Sequence, residues 1–437
     1  MKGKIFIGMT EIAGFYYNLS QGFRKRGYAV SEYYYEDHKF QYGPPLSYPL
    51  IFKLVRKVKH KLKVKNNVLL KICDRVISIA FLTYAILKYD IFIFGFGTSM
   101  LNNNKDLPLL KFFGKTIISN VAHGSEARPP YINGAKRNSE GGFLHWKALG
   151  DMAIMMRSKI EYIENNSSYI IGAPLTSHYL KKPFINLLDI GLPLDMTNRH
   201  NNQDPSKNKS VRILHSPSNP YVKGTFEIRQ VIAKLSIQGY DIEYIEVINS
   251  SNSKVIEELI ACDFIIDQLY SDTPMAGFAT EAAFYEKPAV VGGYGWDILK
   301  EYIDSSNFPP SEICHPSMLE ASIIKLIEDK EYRVDLGRRA KVFVTNNWTS
   351  ELVADKFISL FNEGGKASWY VDPTNINYVQ GVGISDIDSQ NLIKLILKNY
   401  GREGLGLVGK PNLEERFRQF SQRTLIHNSD NVNQNHA

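Results

Sequence analysis

The sequence predicts an α/β protein of two Rossmann-like, parallel-sheet domains facing each other across a cleft. Three observations carry this. Short apolar runs such as Ile5-Phe6-Ile7 and Ile91-Phe92-Ile93-Phe94 run into glycines and alternate with helical patterns, as buried parallel strands do. Residues 196–210 are rich in Asn, Asp, Lys, Ser and Pro, cannot form core, and read as a linker. Beyond them the strand–helix alternation starts again. At 437 residues, two domains plus an extension is the natural division.

The first domain, 1–195, opens with strand 5–7, Gly8 and Gly14, and a helical pattern through Leu19 and Phe23. Arg26-Gly27 ends that helix and Tyr28-Ala29-Val30 starts a second strand, a βαβ opening. The apolar N-terminal run is too short for a signal sequence. Residues 76–96 hold Lys88 and Asp90, so they split into a buried helix and a strand rather than cross a membrane. Strand 115–122 delivers His123-Gly124-Ser125-Glu126-Ala127-Arg128 to a loop at its carboxyl end, where open parallel sheets bind ligands. Residues 168–174 and 184–195 finish the domain.

The second domain, 211–350, reads as strand 211–214, helix 224–237, strand 241–247, helix 252–261 and strand 263–267. Helix 279–286, strand 288–292 and helices near 317–328 and 331–345 complete it. A helix from Trp348 through Phe361 leads into an extension, 351–437, with one short helix at 388–399 and a polar end after Ser421.

Composition is that of ordinary globular material, 44% hydrophobic and 22% charged. Cys73, Cys262 and Cys314 are widely spaced and read as small buried apolar residues in a reducing compartment. The net charge of +7 hides an asymmetry: residues 1–200 carry 28 Lys/Arg against 14 Asp/Glu, and the remainder 24 against 31. The first half is therefore the candidate for meeting an anionic partner: a lipid surface, a lipid-diphosphate-linked sugar or an acidic glycan. No nucleic-acid motif accompanies the charge, so nucleic acid is not an expected partner. Residues 51–65 hold seven Lys/Arg, no acid, and apolar residues at helical spacing. They read either as a basic amphipathic helix on an anionic membrane surface or as a solvated charged helix.

The stretch from His215 to Trp296 holds phosphate-binding features at both ends. Strand 211–214 runs into His215-Ser216-Pro217 and then Lys223-Gly224. Further on, Gly277-Phe278-Ala279-Thr280-Glu281 reads as a glycine loop opening a helix with an acid in its first turn, closed by Lys287-Pro288. Free N–H groups and partial positive charge at a helix start suit a diphosphate, and an acid there accepts hydrogen bonds from a ribose diol. Lys223 reads as a diphosphate clamp or as a surface lysine. Glu281 reads as a hydroxyl acceptor or as an acid stabilised by the helix dipole, and Asp272 as a sugar-binding carboxylate or a turn residue. Asn219, Tyr221 and Trp296 fall in the neighbourhood of the nucleotide. No histidine or carboxylate cluster has metal-ligand spacing, so no metal is expected.

That stretch resembles the donor-binding half of a GT-B nucleotide-sugar-dependent glycosyltransferase, nearest the large retaining family four. The resemblance implies a nucleotide-diphosphate sugar as donor substrate, no other cofactor, and a chain that crosses back to the first domain near residue 350. It implies Lys223 on the donor phosphates and Glu281 on the ribose. Around them it places His215, Ser216, Gly224, Thr273, Gly277, Phe278, Ala279 and Thr280. The loop 123–128 is similar to the family's His-Gly-Ser-Asp-x-Arg loop. The resemblance thus puts His123 with Lys223 and Glu281 in the catalytic group, and Gly14, His123, Glu126 and Arg128 on the acceptor side. Three positions depart from the pattern. Thr273 stands where the first glutamate of the pair is expected, Pro217 where an arginine is, and Glu126 where an aspartate is. The expected activity is transfer of a sugar with retention to a glycan or lipid-linked glycan, in the cytoplasm or peripherally on the membrane's cytoplasmic face. A nucleotide-sugar 2-epimerase of the same architecture and a non-catalytic glycan-assembly subunit are the alternatives.

Overall fold

The computed structural model describes residues 3–37, 45–65, 67–195 and 210–423. The expected linker, 196–210, lies outside them except for Ser210, as does the polar end expected after Ser421 except for residues 422 and 423. The first domain starts with β1 (Ile5–Met9), α1 (Phe15–Lys25), β2 (Val30–Tyr34), α2 (Leu50–Val64) and α3 (Val68–Lys88). It continues with β3 (Ile91–Gly95), α4 (Leu107–Phe112), β4 (Thr116–Asn120), α5 (Trp146–Asn166), β5 (Tyr169–Gly172), β6 (Phe184–Asn186) and α6 (Leu187–Ile190). The second begins with β7 (Val211–His215), α7 (Pro220–Lys223), α8 (Thr225–Ile237), β8 (Ile242–Glu246), α9 (Asn252–Ala261) and β9 (Phe264–Gln268). There follow α10 (Gly277–Phe284), β10 (Ala289–Gly292), α11 (Trp296–Lys300), β11 (Glu312–Cys314), α12 (Leu319–Glu328) and α13 (Lys330–Asn347). The chain ends with α14 (Ser350–Glu363), β12 (Tyr370–Val371), α15 (Asp386–Asn399) and α16 (Pro411–Gln422).

Two sheets result, and the α/β expectation holds. The first has the order β12-β6-β5-β4-β3-β1-β2, parallel except for β12, which pairs antiparallel with β6. The second, β11-β10-β9-β7-β8, is parallel throughout. β1, β3 and β9 are buried along their whole length, because helices cover both faces. Strand order reverses between β1 and β3 and between β7 and β9. At such points the loops beyond the strand ends splay apart and leave a crevice.

The two domains are joined twice. Leu194 and Trp348 run side by side (Leu194 N to Trp348 O, 2.8 Å), and Ser350 N donates to Leu194 O at 2.9 Å. α14 then packs on α1, burying Phe23, Val353, Ala354, Phe357 and Leu360 in one cluster. Gly22 is what allows this approach, since a Cβ there would lie 1.9 Å from Ser350 O. Arg26 clamps Asp355 with two bonds of 2.6 Å at the rim.

The extension is more structured than its sequence predicts. Leu392, Ile393, Ile396, Leu413, Phe417 and Phe420 of α15 and α16 join the core that holds Tyr131, Leu149 and Ile160 of the first domain. Between β12 and α15 a strap passes through the interdomain junction. Val382 exchanges backbone bonds with Ile132 and Gly134 of the first domain, both 2.9 Å, and Gly383 N donates to Tyr270 O of the second at 2.8 Å. Tyr378 is fully buried there, with His178 Nε2 on its carbonyl at 2.8 Å.

Residues 51–65 fall in α2, whose apolar residues divide: Phe52 and Val55 are buried in the core, while Leu54 and Val64 are exposed. Lys59 pairs with buried Asp74 at 3.3 Å, and Lys63 pairs with Glu36. Among the described residues no helix is long and apolar enough to cross a membrane.

Candidate active site

A cavity of about 320 Å³ lies between the carboxyl ends of the two sheets. The first domain lines it with the loop after β1 (Ile12, Ala13), with Phe15, and with His123, Ser125 and Arg128 after β4. The second contributes Gln268, Asp272 and Thr273 after β9, then Gly277, Thr280 and Glu281 of α10. Leu187, Leu192 and Leu194 form an apolar wall, and Val382 of the strap closes one side. The cleft is narrow: a Cβ on Gly277 would lie 4.0 Å from the Cβ of Ala13.

α10 starts two residues earlier than its pattern suggests, at Gly277. Glu281 is therefore its fifth residue, not a first-turn acid. Ala276 at the N-cap brings no side-chain cap, and the first turn holds no acid. The first N–H groups of α10 have no intrahelical partners, and they open at the cavity with the positive end of the helix dipole. Thr280 Oγ1 folds back on Ala276 O at 2.9 Å. Ala279 is buried in the second domain's core and Phe278 packs against it. Neither side chain lines the cavity as expected; what they can offer a ligand is backbone N–H.

On the facing wall, Tyr16 OH and His123 Nε2 are 2.9 Å apart, and Phe15 meets the imidazole edge-on. Burial pulls the His123 pKa down to about 4, so the ring is neutral at pH 7. Glu126 turns away from the cavity and accepts from His123 N at 2.7 Å, while its second oxygen is buried without a partner. Burial pushes this carboxyl up to about 7. Gly14 does not line the cavity. It adopts the left-handed turn (φ 80°) that starts α1.

Arg128 does not pair with Glu126. Its guanidinium crosses the cleft to Asp272, an ion pair whose side chains are 7% and 15% exposed. This contact, invisible in sequence, bridges loops from opposite sheets. Thr273 lines the cavity beside it, its amide on Ser271 Oγ at 3.1 Å.

The expected phosphate residues after β7 sit elsewhere. His215 is fully buried, one ring nitrogen on Ile266 O (2.7 Å) and the other on Thr225 Oγ1 (2.9 Å). It ties β7 to β9 and to the start of α8 and has no nitrogen left for a ligand. Ser216 donates to Val247 O at 3.1 Å. Lys223 lies outside the cavity lining, with Nζ 2.9 Å from fully buried Asp267. Gly224 holds the left-handed joint between α7 and α8 (φ 71°), and a Cβ there would lie 2.5 Å from that of Leu269. Asn219 caps α7 through Tyr221 N at 3.1 Å, Tyr221 is exposed, and Trp296 Nε1 donates to Cys314 O at 2.8 Å.

Sequence reasoning passed over Glu11. Its carboxylate accepts from the amides of Ile12 and Tyr17 at 2.8 Å and Tyr16 at 3.2 Å, filling the start of α1 with the protein's own acid. Burial raises its pKa to about 7 against those hydrogen bonds. The only signal was an acid three residues ahead of a glycine turn. Asp267 and the strap were missed as well. Among the described residues, no three His, Cys, Asp or Glu side chains gather as a metal site.

No family model matches the sequence, and no curated protein does. Solved structures similar in outline include Anabaena HepE in complex with UDP-glucose, at 12% identity and TM-score 0.46, covering 82% of this chain and 99% of that one. An α-glucosyltransferase in complex with UDP and a 13-mer DNA is also 12% identical, with TM-score 0.47, covering 83% and 100%. S. aureus TarM in complex with fondaparinux, α-GlcNAc-glycerol and UDP is 12% identical, with TM-score 0.42, covering 66% and 58%.

Proposed function

We propose that this chain is a glycosyltransferase that takes a sugar from a nucleoside-diphosphate donor and passes it to a glycan or lipid-linked glycan. The observation that carries the reading is the start of α10, opening into the cavity with Glu281 one turn behind it. A diphosphate on those N–H groups leaves Glu281 for the ribose hydroxyls. The sugar then extends toward neutral His123 and Arg128 on the opposite wall. As the donor bond breaks, negative charge builds on the diphosphate, and fixed N–H dipoles stabilise it more in the transition state than in the ground state. The family resemblance adds retention of configuration. The positive first domain favours an anionic acceptor at a membrane face.

One observation favours a second reading, a non-catalytic binding subunit. The lysine expected on the phosphates and the arginine expected on the acceptor side already hold carboxylates, Lys223 on Asp267 and Arg128 on Asp272. A screen of UDP-, GDP- and ADP-sugars, with released nucleotide as readout and calorimetry in parallel, separates the two. Turnover supports the enzyme, binding without turnover supports the subunit, and neither binding nor turnover rejects both.

A further inference from the structure

Away from the cleft, α3 carries a feature that the site does not use. Its inner face, with Asp74, Ser78, Phe81, Leu82 and Ala85, is buried against the first domain. On its outer face Leu69, Ile72, Val76, Ile79 and Leu87 recur every three or four residues, apart from Thr83 in the series, and are 66%, 51%, 62%, 56% and 83% exposed. Residues at this spacing share one side of a helix, so Leu69 to Ile79 form an unbroken apolar row about 15 Å long at 1.5 Å per residue, with Leu87 on the same side beyond Thr83. Single exposed apolar side chains are ordinary, but such a row is an interaction surface.

The charge around the row says what covers it. Residues 50–88 hold ten Lys/Arg and one acid, Asp74. Asp74 is buried and paired with Lys59, so no carboxylate of α2 or α3 faces outward. α2 and α3 turn their inner faces to the same core, which sets their outer faces side by side. Lys53, Lys57 and Lys61, four residues apart along the outer face of α2, have no ion-pair partner among the described residues. Arg75 is exposed on α3 beside the apolar row, and Lys71 is exposed near the start of the helix. A second copy of this surface would bring lysines against lysines, the nearby acids Glu36 and Asp37 being already paired with Lys63 and Arg56. An anionic lipid leaflet offers acyl chains to the row and phosphates to the cations.

We propose that the α2–α3 hairpin docks this protein on an anionic phospholipid bilayer, with the α3 row in the interface and the α2 lysines at headgroup level. This assigns the apolar contact to α3 rather than to residues 51–65. It stands independently of the donor chemistry. The test uses the full chain and co-sedimentation with vesicles of phosphatidylcholine, alone or with one-third phosphatidylglycerol. Binding is expected to be at least ten-fold stronger to the anionic vesicles and to weaken as salt is raised. Ile72→Ser/Val76→Ser/Ile79→Ser is expected to lose binding at least ten-fold with an unchanged melting temperature, as is Lys53→Gln/Lys57→Gln/Lys61→Gln. Lys63→Gln, which removes a cation already paired, serves as the control and is expected to keep binding. In a Val76→Trp variant, emission at position 76 is expected to shift to the blue on anionic vesicles. Binding that ignores lipid charge, or no binding, overturns the proposal. So does an apolar-triple variant that binds like the parent, or a concentration-dependent dimer that this triple abolishes in the absence of vesicle binding.

Discussion

Asp272→Asn asks whether Arg128 is a diphosphate ligand held in reserve. The guanidinium is tied to Asp272 across the cleft, with only 7% and 15% of the two side chains exposed. A donor that uses Arg128 has to displace that carboxylate. Neutralising Asp272 removes the competitor and leaves Arg128 buried without a counter-charge. Breaking a buried pair in this way costs about 3–5 kcal/mol of stability. A bound diphosphate restores the partner, and a hydrogen bond to a charged group contributes about 1.5–3 kcal/mol. The variant should therefore melt lower than the parent when empty. It should bind a nucleoside diphosphate roughly 10- to 150-fold more tightly. Calorimetry with UDP, GDP and ADP gives the affinity, and melting curves with and without nucleotide give the linked stability. A folded variant whose affinity is unchanged or weaker would show that Arg128 is a hinge pin between the domains and not a ligand.

Three further outcomes follow from buried charges and the strap. Lys223→Ala leaves Asp267 fully buried and unpaired, so unfolding in urea should show a loss of about 3–5 kcal/mol. Adding Asp267→Asn should recover most of it, and a single variant as stable as the parent would refute the pairing. Glu126 has a folded pKa of about 7 against an ordinary value of 4.5, so between these values the folded protein keeps a proton that the unfolded chain has lost. The stability this gives is complete below about 4.5, declines as pH rises to about 7, and then levels off, a change of roughly 3 kcal/mol in all. Glu126→Gln should flatten that decline and make the variant more stable than the parent at pH 8, as judged by urea midpoints at pH 5 and 8. Tyr378→Ala empties a fully buried ring site at the junction and should cost about 3–5 kcal/mol in denaturant unfolding.

The frame of the fold was legible because parallel strands buried on both faces write themselves as apolar runs. β1, β3, β7 and β9 could be read directly, and α8, α9 and α13 showed helical spacing between them. Two- and three-residue strands such as β12 and β11 leave no period to detect. α16 does leave one, Leu413, Phe417 and Phe420, but it lies in a strongly charged stretch that reads as surface. In the site, Gly277, Thr280, Glu281, His123 and Arg128, all singled out in the sequence, line one cavity. What failed was the assignment of partners. Lys223 and Asp267 are 44 residues apart and Arg128 and Asp272 are 144 apart, and only the folded chain brings either pair together. His215 looked available because it stands at the end of β7, where open parallel sheets bind ligands. Here Ile266 and Thr225 claim both its nitrogens.

The way α14, α15 and α16 lie over the first sheet has a bearing on how the chain is made. One face of that sheet is completed by Val353, Phe357 and Leu360 and the other by Leu392, Ile396 and Phe417, all from the last hundred residues. A ribosome releases β1 to β6 long before these side chains emerge. The nascent first domain must therefore wait with apolar surface uncovered on both sides while the second domain, whose own core lies mostly within residues 211–347, can already fold. Synthesis order and folding order then run in opposite directions. A chain stopped anywhere before residue 420 is a candidate for chaperone capture rather than a working half-protein.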